Sequence, residues 1–266
     1  MQGIEHATLG VLVLMALVII PVLYFIHEAR KGRTLFVRRI PGVDAIDEAT
    51  GRTAELGRPM VFTAGLTQLG PTLYACLGVL FHIAQKAALY KTKLLLPQNQ
   101  PDVMAVSEEV VHDAYRSVGR GSGFDSRNTH YLSDEQFAFA AGYIGLVQRE
   151  KVGSAFLFGT FAAESLVLAE AGQQVGAMQV AATTSPEQVA FFISACDYTL
   201  IGEELYAASA YLTKEPVQLG SLYGQDRAKL AFFVIILVGV LVATYYSVMG
   251  ISNGVNIDTL IYKKFW

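Results

Sequence analysis

At 266 residues the chain is long enough to bury a substantial core, as one large domain or two small ones. Its 53% hydrophobic and 16% charged residues, with a mean hydropathy of +0.39, lie on the apolar side of ordinary soluble proteins. A formal net charge of −3 supplies no global basic field, which excludes nucleic acid as an expected partner.

Taken in chain order, residues 1–7 precede an unbroken apolar run from Thr8 to Ile26, a length that crosses a bilayer core. Pro21 inside it is tolerable in a membrane helix. No Lys or Arg comes before the run and no cleavage pattern comes after it, so it reads as an anchor and not as a signal peptide. Arg30, Lys31, Arg33, Arg38 and Arg39 follow. A second run covers Leu230 to Ile251, preceded by Arg227 and Lys229. This bias of positive charge predicts an inner-membrane protein with residues 27–229 in the cytoplasm. Residues 1–7 and the aromatic tail 252–266 then lie outside, although Lys263 and Lys264 dilute the signal at the second span. Gly239, Ala243 and Ser247 recur every four residues along that span, a spacing that lets another helix approach closely.

Between the anchors the pattern alternates. A helix over Val43–Leu56 ends at Gly57 and Pro59, and Met60–Gly65 reads as a buried strand. A mostly apolar helix over Leu69–Tyr90 and a strand at Lys93–Leu96 follow. Pro71–Ala84 is interrupted by glycine and too short for a span. Asp102 opens a helix to Val118, and the Gly119–Gly123 loop reads as a flexible connector to a short strand at His130–Leu132. Ser133–Gln136 is a capping-box pattern before a helix reaching Lys151. Strand Ser154–Phe158, helix Phe161–Gln173 and strand Ala177–Ala182 come next; Glu164 and Glu170 argue against a span here. Ser185–Gln188 is a second capping-box pattern, with proline at the first helical position, opening a helix to Ala195. Tyr198–Ile201 is the last strand, and a helix from Glu203 leads past Pro216. Short strands alternating with longer helices predict an α/β fold: a doubly wound, Rossmann-like, mostly parallel sheet of about six strands, inserted between two transmembrane helices.

In such a sheet ligands bind at the carboxyl ends of the strands. The polar residues falling there are Thr63, Gln98, Thr160 with Glu164, Thr183 with Thr184, and Glu203 with Glu204. None is cationic, so a phosphate would depend on helix N-termini. The chain contains no GxGxxG after a strand, no phosphate-binding loop, no nucleophile elbow and no HExxH. The three glutamates answer helix dipoles as readily as they would hold a metal or act as a base. Cys76 and Cys196 sit in apolar runs as small buried side chains, and the five histidines stand singly. No catalytic residue, metal or cofactor is predicted.

The helices Phe137–Gly145, Phe161–Ala171 and Leu205–Leu212 are rich in Ala, Gly and Ser and apolar almost all round. They either pack deeply within the domain or need a partner. The segments Arg38–Ala49, Gly51-Arg52, Gly57-Arg58-Pro59, Tyr131-Leu132-Ser133, Glu135–Ala138, Gly159–Ser165 and Gly202-Glu203-Glu204 together resemble an uncharacterised prokaryotic family of two-pass membrane proteins, a domain of unknown function. The resemblance implies the architecture and a prokaryotic source, and carries over no site residue. The leading expectation is a structural or scaffolding subunit, homo-oligomeric or joined to other membrane-complex subunits in the lipid bilayer. The alternatives are a membrane-tethered binding or sensing domain for a nucleotide-like ligand, and a metal-dependent hydrolase using Glu164, Glu203 and Glu204.

Overall fold

The structure, a computed structural model, describes residues 9–33 and 41–248. The chain divides into two compact units, residues 38–214 and the paired ends 1–37 and 215–266.

The central unit alternates helix and strand as its sequence pattern demands. Helix α2 (Pro41–Leu56; α1 is the N-terminal helix described below) precedes β1 (Met60–Gly65) and α3 (Pro71–Tyr90). Then come β2 (Leu94–Gln98), α4 (Pro101–Ser117) and β3 (Thr129–Tyr131), the last after two short 3₁₀ turns. The second half is α5 (Gln136–Glu150), β4 (Ser154–Thr160), α6 (Glu164–Gln174), β5 (Met178–Thr183), α7 (Pro186–Ala195), β6 (Tyr198–Ile201) and α8 (Glu204–Thr213). All six strands pair in parallel, in the order β3-β2-β1-β4-β5-β6. This is the doubly wound order, with its reversal between β1 and β4.

Both faces of the sheet are covered over its four central strands, which are buried along almost their whole length and mostly apolar. Alternate residues of the four central strands enter alternate cores. Phe62, Phe156, Phe158 and Val180 meet α2, α3, α4 and α8, whereas Val61, Leu95, Leu157 and Ala181 meet α5, α6 and α7. Helix α3 is wrapped by α2, α4 and α8 as well as by the sheet, which explains its apolar circumference. Gly78 lets α8 close on it, since an added Cβ there would reach the Ser209 hydroxyl.

Two sequence details change. Neither capping box forms: α5 and α7 have no side-chain cap, and Ser133 and Thr183 instead accept the amides of Glu135 and Ser185 in local turns. Helix α3 is 20 residues long, so length does not separate it from a span. Burial does.

Among the described residues three helices are long and apolar enough to cross a membrane: Gly10–Arg30, Pro71–Tyr90 and Pro216–Tyr245. The apolar window of the middle one is 61% buried within the central unit, against 0% and 6% for the outer two. The outer pair, α1 (Leu9–Arg30) and α9 (Pro216–Val248), therefore present bare apolar flanks of the kind lipid covers, consistent with a membrane protein. They form an antiparallel hairpin. A Cβ on Gly220 would lie 2.6 Å from the Ile26 Cα, and one on Gly224 would lie 2.5 Å from the Val22 Cα. Buried Ala228 continues the four-residue series, and the Phe25 and Tyr223 rings meet edge to face at 4.8 Å. This is small-residue packing one segment earlier than Gly239, Ala243 and Ser247. Gly239 has nothing within 4 Å, Ala243 is exposed, and the Ser247 side chain lies outside the described residues. Residues 1–7 and 252–266, with Arg38 and Arg39, also lie outside them.

At 1.5 Å per residue, the 33 residues of α9 extend about 50 Å, well beyond a hydrocarbon core of about 30 Å. Its first turns, with Gln225, Asp226, Arg227 and Lys229, accordingly suit an aqueous or headgroup setting.

Candidate functional site

The reversal of strand order fixes where a doubly wound sheet offers a crevice: beyond the carboxyl ends of β1 and β4. Here β1 ends at Gly65, whose φ of +60° turns the chain toward α3. Leu66 donates its amide to the Thr160 carbonyl at 2.9 Å. The Thr67 hydroxyl donates to the Ala64 carbonyl at 2.5 Å and accepts the Thr160 amide at 2.7 Å. One threonine thus ties the two strand exits together.

The glycines around it leave no free volume. A Cβ on Gly65 would stand 2.5 Å from the Phe161 ring, and one on Gly159 (φ +148°) would run into the Ala64 carbonyl oxygen. Phe161 in turn sits edge-on to Phe192, with ring centroids 5.1 Å apart. In a dinucleotide site the corresponding glycines let the backbone approach a pyrophosphate. The space over Gly65 is taken by an aromatic ring instead.

Glu164 opens α6 immediately beyond this lock and is fully buried. Its carboxyl group accepts the Gln136 amide at 2.6 Å and the Ala162 backbone amide at 3.0 Å. It thereby fastens the start of α5 to the start of α6. Next to it the Ser165 hydroxyl donates to Gln188 of α7 at 2.5 Å. On the other flank Gln98 accepts the Ala64 amide at 3.3 Å, while its buried Nε2 has no partner. Buried polar atoms are ordinarily satisfied, so the Gln98 amide is the one loose end of the crevice.

The residues expected at the strand ends all lie along the carboxyl edge of the sheet, and they divide into separate groups. Thr63 accepts the Gly65 amide at 3.2 Å and Thr183 the Ser185 amide at 3.2 Å, both as turn residues. Thr160 and Glu164 belong to the crevice. Thr184 follows β5. Glu203 and Glu204 follow β6 at the sheet's edge, where Glu204 accepts the Ile201 amide at 3.0 Å. Glu164 follows β4 and the Glu203–Glu204 pair follows β6, two strand spacings or roughly 10 Å away. Glu164 is engaged by Gln136 and the Ala162 amide, and Glu204 by the Ile201 amide, so each is tied into its own helix start. Thr67 completes the crevice without a sequence signal of its own. Gln136 and Gln188, which stand at the last position of the two capping-box patterns, bond across helices to Glu164 and Ser165.

Elsewhere, α4 brings one ligand atom each of Glu109, His112 and Asp113 within 4.8 Å on its outer face. Such a trio is what i, i+3, i+4 spacing gives on any polar helix surface. Cys76 and Cys196 are free thiols; burial pushes Cys196 up to about 12 and Cys76 higher still.

Residues 1–253 match the family described as a domain of unknown function (DUF6754), and the chain belongs to it. No curated protein and no solved structure matches the chain significantly.

Proposed function

We propose that this protein is a structural subunit of a membrane assembly, in which α/β units associate side by side through the outer face of α5, α6 and α7. One observation carries the reading. That face exposes Phe137, Leu166, Val167, Phe191 and Ile193, with Phe137 at 68% and Ile193 at 58% accessibility, among small residues such as Ala138, Ala141, Gly145 and Ala190. Helices covering a sheet ordinarily keep a polar outer stripe. Several large apolar side chains exposed on neighbouring helices are what an interaction surface would need.

The crevice supports the same reading, because its glycines, Thr67 and Glu164 are consumed in holding the sheet and helices together. The α1–α9 hairpin supplies the lipid anchor, and the basic residues after α1 favour a cytoplasmic position for the α/β unit in an inner membrane. Confinement to a bilayer raises the effective concentration of the faces, so a modest interface is enough for association.

The test is the mass of the detergent-solubilised protein, corrected for bound detergent. The reading predicts a defined multiple of 28.9 kDa, or co-purifying subunits in fixed ratio. A monodisperse monomer would remove it.

A further inference from the structure

At the amino edge of the sheet, opposite the crevice, a cleft of about 460 Å³ lies between the C-terminal ends of α3 and α4, the Gly119–Gly123 turn and the start of β2. Lys91, Lys93 and Arg120 line it, together with Tyr115, Ser122 and Asn128. One carboxylate, Asp125, also lines it.

The charges do not cancel. Asp125 is gripped by the Arg127 side chain at 2.9 and 3.0 Å, and Lys93 pairs with Glu150 at 2.9 Å. Lys91 and Arg120 have no carboxylate partner among the described residues. Arg120 is moreover partly buried, on a turn whose Gly119 adopts φ +72° and whose Gly123 amide donates to the Arg120 carbonyl at 2.9 Å. A guanidinium is the side chain best suited to bidentate phosphate recognition, and this one lines the cleft with no carboxylate to answer it among the described residues. The Ser122 hydroxyl and the Asn128 amide add neutral donors, and Ala87 and Ala88 give an apolar wall.

We propose that this cleft binds a phosphate-bearing small ligand, with Arg120 and Lys91 holding the phosphate. The volume is that of a ligand pocket and larger than a bare phosphate needs, so the phosphate is one end of a larger molecule. The Gly119–Gly123 segment is then a binding turn as well as a connector. The site is independent of the α5–α7 face, and its failure would leave the assembly reading untouched.

The experiment uses the full-length protein in detergent and inorganic pyrophosphate, followed by phosphorus-31 line broadening. Saturable binding is expected, weakened roughly tenfold by Arg120→Gln and by a smaller factor by Lys91→Gln, as for loss of one charge-assisted contact. Both variants should melt at the wild-type temperature, because neither side chain has an ion-pair partner to lose. Ribose 5-phosphate and water-soluble dihexanoyl phosphatidic acid, run in parallel, distinguish a soluble phosphate ester from a lipid headgroup by which binds tighter. No saturation by about 10 mM, a concentration at which even a millimolar site fills, would overturn the proposal. So would affinities that Arg120→Gln and Lys91→Gln leave unchanged.

Discussion

The two helical layers that cover the sheet are built from similar inner faces, and their outer faces differ in degree. Helices α2 and α4 are mostly acidic outside, with Leu56 and Val106 exposed among the charges and Tyr74 on neighbouring α3, whereas α5, α6 and α7 carry several large apolar side chains. Helices α2 and α4 bury Val43, Ile46, Val103 and Val111, and turn Asp44, Asp47, Glu48, Glu55, Glu109 and Asp113 to solvent. Helices α5, α6 and α7 bury Phe139, Tyr143, Leu168 and Phe192, and then expose Phe137, Leu166, Val167, Phe191 and Ile193. Folding requires only the inner faces, and the proposed assembly is what would give the second set of exposed residues a use. Polar contacts are distributed in the reverse sense. The α5–α7 layer keeps its own inside, as Glu164 with Gln136 and Ser165 with Gln188. The other layer keeps an Asp47 cluster with His82 and Lys86 near the surface.

The largest effect that would break this comparison is on assembly. Phe137→Glu combined with Ile193→Glu should reduce the solubilised particle to a monomer, whereas Leu56→Glu with Val106→Glu on the α2 and α4 side should leave its mass unchanged. Loss of association in both pairs would erase the distinction between the layers.

The next largest effects are on stability. Gln136→Leu leaves a fully buried carboxyl group without its amide donor and should cost about 2–3 kcal/mol, read as a fall in urea midpoint. Asp47→Asn should cost only about 0.5 kcal/mol, because its contacts are partly exposed and screened. Burial alone would raise the Asp47 carboxyl, yet hydrogen bonds and charge from His82 and Lys86 outweigh it and hold it below the ordinary range. A depressed carboxyl stabilises the fold above its unfolded value and loses that contribution as the pH falls through its folded value. The gap between wild type and Asp47→Asn should therefore close on acidification below about pH 4. A gap that persists there would mean the cluster acts by packing alone.

The smallest effect concerns the thiols, one under each layer. Cys76 and Cys196 should alkylate at least about a hundredfold more slowly than a free thiol at pH 8, since burial disfavours both thiolates. Rapid labelling of Cys196 alone would show that the α7 end opens readily.

Much of this fold was legible in the residues. Strands β1 and β6 fall where short apolar runs meet Gly or Pro, and the alternation of strand and helix announces parallel pairing. The reversal between β1 and β4 was not legible, because it depends on which face each helix covers, and α3 and α8 are apolar on several sides. The hairpin contact is hidden for a related reason: Gly220 and Gly224 stand in a mixed segment before the apolar run, where hydropathy gives them no mark. At the crevice, Gln136 had the spacing of a cap residue, and its amide is spent on Glu164, 28 positions away. Local patterns carry local bonds, and the buried polar links between helices are long-range.

Cysteine accessibility in permeabilised native membranes tests the division between the layers most directly. Single substitutions Ala141→Cys and Ala190→Cys report on α5 and α7; Glu48→Cys and Glu109→Cys report on α2 and α4. All four positions are exposed in the isolated chain. With a bulky maleimide, the account predicts protection at the first two and full labelling at the second two. Equal labelling at all four would contradict it.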